Sequence, residues 1–232
     1  MTSGQHQTAT IEWHESGAPV SHMFNDPYFS IKNGLAETRH VFLDGNQLST
    51  RLKPGFHIAE LGFGCGLNLL ATWQLCRSLG NSFPANYTSF EAFPIKARDM
   101  ETALNEFPEL ADFAASLLPL WAAGETKFLL DGLNVEIVLG DANNALPNWR
   151  GKADAWFLDG FSPAKNPELW RSELMTEVAN HTKPGGTFST YSAAGHIRRS
   201  LTDAGFEVTR IKGYGSKRHM SVGRLREHNE PE

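Results

Sequence analysis

The segment "IAELGFGCGLN", residues 58–68, constrains the fold of this chain more than any other part of the sequence. A short apolar stretch precedes it and a stretch with helical periodicity follows it. Glycine occupies every second position of the turn, at Gly62, Gly64 and Gly66. This spacing lets the backbone turn sharply and approach a ligand closely, because a Cβ at those positions would collide with the ligand. The segment therefore predicts a strand, a ligand-binding loop and a helix in succession.

The loop lacks the glycine pattern of a dinucleotide-binding fold. That pattern needs glycine at the first, third and sixth positions of the turn. Counted from Gly62 the sixth position is Leu67, and counted from Gly64 it is Leu69. In an open α/β sheet, small ligands bind outside the carboxyl ends of the strands, where the strand order reverses. The sequence therefore predicts a small ligand at this first loop that is held differently from a dinucleotide.

The rest of the chain alternates between strand patterns and helix patterns. This alternation predicts a Rossmann-like three-layer α/β fold whose sheet is mostly parallel, with an antiparallel pair at its end. The predicted strands are "FHIAEL", "NYTSFEAF", "LLDGLNVEIVLGDA" as a hairpin or strand pair, "ADAWFLDGFSP", "TFSTYS" and the final pair "FEVTRIKGYG...RHMSVGRL"; the predicted helices are "GLNLLATWQLCRSL", "PIKARDMETALNEFP", "NPELWRSELMTEVANHT", closed by "KPGG", and "AGHIRRSLTDAG".

The first 54 residues differ from the remainder, because polar and turn residues interrupt their apolar pattern. Within them "TRHVFLDGNQLSTRL" carries the pair Asp44–Gly45 between two short apolar segments, which is typical of a β-hairpin with a primed turn. We expect an N-terminal extension with a β-hairpin at residues 1–54, packed on a core domain at residues 55–225. The polar residues 226–232 are expected to form a tail or the start of a linker.

Charge, cysteine content and hydrophobicity exclude several classes of protein. A formal net charge of −5 argues against a general nucleic-acid coat, so any RNA contact must be local. Cys65 and Cys76 form no CxxC pair, and the histidines lack HExxH spacing, so neither a disulfide framework nor a metal site is expected. No apolar run approaches the roughly 20 residues of a membrane span, and we expect a cytoplasmic protein.

Acidic residues end three of the predicted strands. Glu60 precedes the glycine loop, and Glu91 follows that loop at close to the roughly 20-residue interval at which Rossmann-like units place an acid for ribose hydroxyls. Asp141 ends "VEIVLGDA". Each acid alone is also explained as a helix N-cap or a solvated turn residue. Three acids in the same position relative to their strands favour a common ligand.

A fourth acid, Asp159, ends the apolar run "AWFL" and precedes a loop with Gly160 and Ser162–Pro163. A carboxylate at that position can accept a hydrogen bond from an amine, orient its lone pair and help to remove its proton. The alternative is an Asp that caps the turn.

These motifs resemble known methyltransferases. "ELGFGCG" is similar to the first motif of class I S-adenosylmethionine-dependent methyltransferases, in which the acid lies near the methionine moiety. The strand end "VEIVLGDA", with Asp141, resembles the motif of these enzymes whose Asp caps the adenine amino group. "NDPYFSIKNGLAETRHVFLDGNQL", "DAWFLDGFSPAKNPELW", "KPGGTFSTYSAAGHIRRSLTDAGF" and "KGYGSKRHM" resemble the methyltransferase module of the bifunctional tRNA 5-methylaminomethyl-2-thiouridine biosynthesis proteins and its stand-alone relatives. The likeness runs from about Trp13 to Leu225.

The resemblance implies methyl transfer from S-adenosylmethionine to the primary amine of 5-aminomethyl-(2-thio)uridine at wobble position 34 of a tRNA anticodon loop. In the bifunctional proteins an FAD-dependent oxidoreductase module makes that amine, and it would be a C-terminal partner if this chain is an excised domain. Asp159 is the expected catalytic residue. The expected cofactor-binding residues are Glu60, Gly62, Phe63, Gly64, Gly66, Asn68, Glu91 and Asp141.

Candidate RNA contacts are aromatic or basic. A flipped anticodon base commonly stacks on protein aromatics, and we expect one or two of the five available rings to contact base or cofactor. These rings belong to Phe24, Tyr28, Phe29, Phe161 and Tyr191. The residues predicted to bind substrate are Phe161, Lys165, Tyr191, Lys217 and Arg218. Methylation of a small amine or a protein side chain stays open, as does a non-catalytic ligand-binding relative or an oxidoreductase with an unusual loop.

Overall fold

The computed structural model describes residues 7–80 and 84–227. It begins with a small antiparallel sheet of three short strands, β1 (Ile11–Trp13), β2 (Pro19–Ser21) and β3 (Asp26–Pro27). Two short helices follow, α1 (Gly34–Thr38) and α2 (Leu48–Arg51), joined by a π-helical segment (Arg39–Asp44). The predicted tail 226–232 lies largely outside the described residues.

The remainder of the chain alternates strands and helices as the sequence predicts. In chain order the elements are β4 (His57–Leu61), α3 (Leu67–Ser78), β5 (Ala85–Glu91), α4 (Ala97–Leu104), a 3₁₀ turn (Pro108–Leu110), α5 (Ala111–Ala122), β6 (Lys127–Leu130), β7 (Leu133–Leu139), α6 (Ala142–Ala145), a 3₁₀ turn (Leu146–Asn148), β8 (Ala153–Leu158), a 3₁₀ turn (Pro167–Trp170), α7 (Ser172–Asn180), β9 (Thr182–Thr190), α8 (Gly195–Asp203), β10 (Phe206–Lys212) and β11 (His219–Leu225).

Among the described residues, eight strands form one sheet in the order β10-β11-β9-β8-β4-β5-β7-β6. Strands β4, β5, β7, β8 and β9 pair in parallel, whereas β6, β10 and β11 join antiparallel. The chain first adds β5 and β7 on one side of β4 and then β8 and β9 on the other. The strand order therefore reverses at β4 and β8, and this reversal opens a crevice at their carboxyl ends.

Both faces of the sheet are buried. Along β8, Ala155 and Phe157 pack into one apolar cluster, and Trp156 and Leu158 pack into the other. Helices α1–α5 cover the first face and α6–α8 cover the second. Glu60 lies two residues beyond Ile58 on β4 and so points toward the first face, beneath α3. The predicted three-layer, mostly parallel α/β fold is confirmed.

The β-hairpin expected at Asp44–Gly45 is wrong. The segment Arg39–Asp44 is a π-helical turn instead, in which Val41, Phe42 and Leu43 are all buried. Gly45 has helical dihedral angles (φ −57°, ψ −33°) instead of those of a primed turn. Its Cβ would lie 2.9 Å from the Ser189 Cβ, so the glycine permits close packing of this segment on the sheet. The division of the chain at residue 54 stays a prediction.

Smaller differences concern one helix that the sequence does not predict and the ends of two others. Helix α5 lies in a stretch for which the periodicity predicts no element, and α4 begins at Ala97 instead of near Pro94. The segment "KPGG" does not close a helix, because α7 ends at Asn180 and β9 already begins at Thr182.

Candidate active site

A cavity of about 780 Å³ opens at the carboxyl ends of the central strands. Its size suits a small-molecule ligand. The loops after β4, β5, β7 and β8 form its inner wall, and residues 23–32, between β2 and α1, form much of its outer wall.

The glycine loop borders this cavity as predicted. Gly62 and Gly64 lie on the wall at φ +84° and +56°, a region that only glycine occupies easily. A Cβ on Gly62 would lie 3.2 Å from the Gly160 Cα, so this glycine allows the first loop to touch the loop that carries Asp159. A Cβ on Gly64 would lie 3.2 Å from the Tyr28 ring.

Gly66, which was predicted to face the ligand, is not on the cavity wall. It is the N-cap of α3 at φ +78°, and an added Cβ would meet Leu117 and the Phe63 ring at 3.1 Å. Its small size serves packing between α3 and α5. Phe63 and Asn68, by contrast, do line the cavity.

Glu91 occupies the predicted position at the end of β5. Its carboxylate lines the cavity and accepts N–H hydrogen bonds from Gly64 at 2.9 Å and Phe93 at 2.7 Å. Burial raises the pKa of Glu91, and these backbone donors oppose that rise. One bond to each carboxylate oxygen leaves further acceptor capacity for ligand hydroxyls.

Glu60 is placed differently from the prediction of a direct ligand contact. It is fully buried and does not line the cavity. Its carboxyl oxygens accept hydrogen bonds from the Asn68 amide at 2.8 Å and the Ser89 hydroxyl at 2.6 Å. Burial raises the pKa of Glu60 to about 8. The side chain therefore stands behind Asn68 and does not face the cavity.

Asp141 serves the cap role that was its alternative explanation, and it also lines the cavity. Its carboxylate accepts the Asn143 N–H at 2.9 Å at the start of α6. The preceding Gly140, which the sequence reasoning missed, lies on the wall at φ +138°, and a Cβ there would meet no atom within 4 Å. Contact of Asp141 with an adenine amino group stays a prediction.

Asp159 lies at the end of β8 on the cavity wall. Its two carboxylate oxygens accept hydrogen bonds from the Gly160 N–H and the Asn68 amide, both at 2.8 Å. Burial raises the pKa of Asp159 to about 6; Lys217 lowers it and Glu37 raises it. The group is therefore mostly ionised at neutral pH and close enough to neutrality to accept a proton.

Three of the residues predicted to bind substrate lie on the wall: Phe161, Tyr191 and Lys217. The Lys217 ammonium lies 4.5 Å from the centroid of the Tyr191 ring and 2.8 Å from a Glu37 oxygen. Lys165 and Arg218 are not among the lining residues. Lys165 instead pairs with Asp26 at 2.9 Å, which ties the Asp159 loop to the N-terminal segment.

The N-terminal segment contributes wall residues that sequence reasoning assigned no role or only a general one. The Phe24 ring stacks on the Phe161 ring with centroids 4.8 Å apart, and the Tyr28 ring meets the Phe161 ring edge-on at 5.0 Å. Asp26 accepts the Ser162 N–H at 2.8 Å. All five aromatic candidates line the cavity, and the missed wall residues include Asp26, Ile31, Glu37, Asn166 and Leu169. Of these, only Asp26 and Ile31 lie in the aromatic-rich stretch between β2 and α1, which has no regular periodicity.

Within residues 7–80 and 84–227, no group of three His, Cys, Asp or Glu side chains is arranged to hold a metal ion. No helix in the same ranges is long and apolar enough to cross a bilayer.

Comparison with known proteins identifies the family. Residues 105–226 match the model of a family described as S-adenosyl-L-methionine-dependent methyltransferase, and this match covers more than half of the chain. The chain belongs to this family. It is therefore an S-adenosylmethionine-dependent methyltransferase, and the resemblance inferred from its motifs is confirmed.

Two curated relatives of this methyltransferase are named tRNA 5-methylaminomethyl-2-thiouridine biosynthesis bifunctional protein MnmC. The protein from Ectopseudomonas mendocina is 45% identical over 93% of this chain and 34% of its own length. The protein from Aliivibrio fischeri is 42% identical over 94% of this chain and 35% of its own length. The chain thus spans about a third of the length of these relatives.

A solved structure confirms the fold. The crystal structure of MNMC2 from Aquifex aeolicus superposes with a TM-score of 0.75, covering 99% of this chain and 74% of that one at 24% sequence identity. At this identity the likeness concerns the fold, and it extends over the N-terminal segment as well as the sheet.

The cavity fits S-adenosylmethionine. Gly140 leaves open space beside its backbone on the wall, Gly62 and Gly64 border the same cavity, and the buried Glu91 carboxylate offers acceptors there. The cavity volume is within the range of sites for ligands of this size.

If Glu91 binds the cofactor, Glu91→Ala will weaken binding of S-adenosylmethionine by about tenfold or more, because hydrogen bonds to a charged group are lost. Calorimetric titration measures the affinity. Glu101→Ala, at an exposed position on α4, is the control and should bind normally. Unchanged affinity in Glu91→Ala would remove Glu91 from the cofactor site.

Proposed function

We propose that this chain transfers a methyl group from S-adenosylmethionine to the primary amine of 5-aminomethyl-(2-thio)uridine at wobble position 34 of tRNA. The observation that carries the proposal is the Asp159 carboxylate on the cavity wall at the end of β8, in a loop whose backbone packs against Gly62 of the glycine loop. The names of two relatives more than 40% identical supply the substrate class.

The chemistry requires a neutral amine in line with a sulfonium methyl group. S-Adenosylmethionine supplies that electrophilic methyl when it is bound. Asp159 accepts a hydrogen bond from the substrate amine and aims the nitrogen lone pair, and Glu37 and Lys217 set the local charge. An amine held in near-attack geometry gains a large part of the rate enhancement from orientation alone, up to about 7–11 kcal/mol.

The methyl transfer needs no further reactant. The nitrogen lone pair forms the new N–CH₃ bond as the S–CH₃ bond breaks, which leaves S-adenosylhomocysteine. The methylated nitrogen then carries one surplus proton, and the Asp159 carboxylate accepts it before passing it to solvent. In this role Asp159 is the general base and Gly160 and Asn68 hold it in place.

The outer wall suits a nucleobase turned out of its stack. The rings of Phe24, Tyr28 and Phe161 meet beside the cavity, and such rings stack on unpaired bases. Lys217 and the exposed Lys32 stand at the same wall and offer positive charge to phosphates. Local contacts of this kind are compatible with the negative net charge of the chain.

The test is nucleoside analysis of tRNA from cells that lack the methylated wobble base, after incubation with the protein and S-adenosylmethionine. We expect conversion of 5-aminomethyl-(2-thio)uridine to its methylaminomethyl form. A parallel reaction with small free amines and with protein substrates tests the alternative acceptors. Methylation of those alone would contradict the proposal.

The pH dependence of the reaction follows from the Asp159 pKa of about 6. Burial raises this pKa, so the base form is present above pH 6 and is lost as the pH falls through 6. We expect kcat to decline about tenfold per pH unit below that point. The amine also ionises, so the profile is compared with that of Asp159→Ala, in which the limb near pH 6 should be missing. A limb that persists in the variant would belong to another group.

We further propose that an oxidoreductase module supplies the amine substrate, as the word bifunctional in the relatives' names suggests. About two thirds of those relatives lies outside the part that matches this chain. The expected module is FAD-dependent and removes a carboxymethyl group to expose the primary amine.

A further inference from the structure

Asn68 stands between two carboxyl groups at the centre of the molecule. Its amide nitrogen donates to Asp159 and to Glu60, both at 2.8 Å, and its amide oxygen accepts the Thr38 hydroxyl at 3.0 Å. Every hydrogen-bonding position of the amide group except one oxygen lone pair is used. Reversing the amide would place its oxygen against the Asp159 carboxylate oxygen, which only accepts hydrogen bonds, so the Asp159 contact sets the orientation.

Glu60 holds the Asn68 amide on the side facing strand β4. It is fully buried on β4, directly opposite Ser89 on the neighbouring strand β5, whose hydroxyl donates to its second oxygen at 2.6 Å. Burial raises the Glu60 pKa to about 8, which favours the neutral form of the side chain. A neutral acid beside Asn68 adds little negative charge to the Asp159 surroundings.

We propose that Glu60 and Asn68 are positioning residues for methyl transfer: Glu60 orients the Asn68 amide, and that amide orients the Asp159 carboxylate and favours its ionised form. The proposal rests on the proposed function of Asp159 as base. It differs from the expectation that Glu60 and Asn68 bind the cofactor directly, because it assigns their effect to Asp159.

Several charged or titratable groups surround the Asp159 carboxylate, and the test must separate them from Asn68. They are Glu37 on α1, Glu60 on β4, Cys65 in the glycine loop, Tyr87 on β5, Tyr191 after β9 and Lys217 between β10 and β11. Asn68→Ala leaves all six of these residues in place and removes the hydrogen bonds of Asn68 to Asp159 and Glu60.

The experiment follows the Asp159 carboxyl by ¹³C NMR titration, with its signal assigned by comparison with Asp159→Asn. Cofactor affinity and the pH dependence of kcat on tRNA are measured alongside. In Asn68→Ala we expect the Asp159 pKa and the acid limb of kcat to rise by about one pH unit or more, since a hydrogen bond to the charged form is lost. Affinity for S-adenosylmethionine should change less than threefold. A weakened affinity with an unchanged Asp159 pKa would overturn the proposal.

Variants of Glu60 test whether Glu60 orients the Asn68 amide. A glutamine can accept from Asn68 and donate to Ser89, so Glu60→Gln should keep the Asp159 pKa near its normal value, whereas Glu60→Ala should raise it as Asn68→Ala does. Loss of cofactor binding in Glu60→Gln would instead show that a charged Glu60 holds the ligand and would overturn the proposal.

A variant that does not fold and a failure of the proposed function can each be distinguished from a failure of this positioning proposal. If Glu60→Ala does not fold, Thr38→Val, which removes only the third hydrogen bond to Asn68, should still raise the Asp159 pKa by a smaller amount. The NMR titration needs no tRNA. An inactive wild type that still shows the Asn68-dependent shift would refute the tRNA reaction and leave the hydrogen-bonded chain intact.

Discussion

Replacing Asp159 by alanine is expected to reduce methyl transfer by about 10²-fold or more, because a positioned general base contributes about 10²–10⁴ to the rate. The variant loses the acceptor that orients the amine and takes its proton. It keeps the glycine loop and Glu91, so affinity for S-adenosylmethionine and thermal unfolding should change little. Single-turnover rates on unmethylated tRNA, with cofactor titrations alongside, measure both quantities.

The matched control is Glu168→Ala. Glu168 also lines the cavity rim, but its side chain is 71% exposed and makes only an ion pair with Arg171. Surface pairs of this kind contribute little, so this variant should retain wild-type turnover. Near wild-type turnover in Asp159→Ala would remove Asp159 from the mechanism, and an equal loss in both variants would indicate a general effect of charge at the rim.

Replacing Gly62 by valine should abolish measurable binding of the cofactor, or weaken it by at least about tenfold. A Cβ at Gly62 would lie 3.2 and 3.3 Å from backbone atoms of Gly160 and 3.4 Å from the Asp159 carbonyl carbon. The two further methyl groups of valine enlarge this conflict, and rigid backbone cannot yield as a flexible side chain does. The glycine loop and the Asp159 loop must therefore separate, which alters both cofactor site and base.

Gly55→Val separates crowding from backbone strain. Gly55 also has a left-handed conformation, at φ +73°, but a Cβ there would meet nothing within 4 Å. Both variants carry the cost of a left-handed valine, about 1–2 kcal/mol, visible as a lower Tm. Only Gly62→Val should lose cofactor affinity. Equal affinities in the two variants would mean that the cavity does not hold its ligand against this loop.

The fold was largely predictable because its signals are local. The strand–glycine–helix segment at residues 58–68 and the apolar run before Asp159 each define an element by periodicity and end it with residues that break it. Strand ends in a parallel sheet meet at one edge, so the cavity positions of Glu91, Asp141 and Asp159 followed from the strand assignment alone.

The errors arose where tertiary packing decides. The Asp44–Gly45 pair resembles a hairpin turn, yet residues 39–44 form a π-helical turn that packs Val41, Phe42 and Leu43 into the core. Glu60 has the sequence position of a ligand-binding acid, but alternation along β4 turns its side chain beneath α3. The wall formed by residues 23–32 depends on contacts between residues distant in sequence, such as Phe24 with Phe161, which no periodicity encodes.

A crystal structure with bound S-adenosylmethionine would show directly whether the cofactor and Asp159 share this cavity. The cofactor should lie against Gly62 and Gly64, its ribose hydroxyls should bond to Glu91, and its transferable methyl group should face the space beside the Asp159 carboxylate. A cofactor bound elsewhere, or an Asp159 side chain that points away from the methyl carbon, would contradict the proposed site.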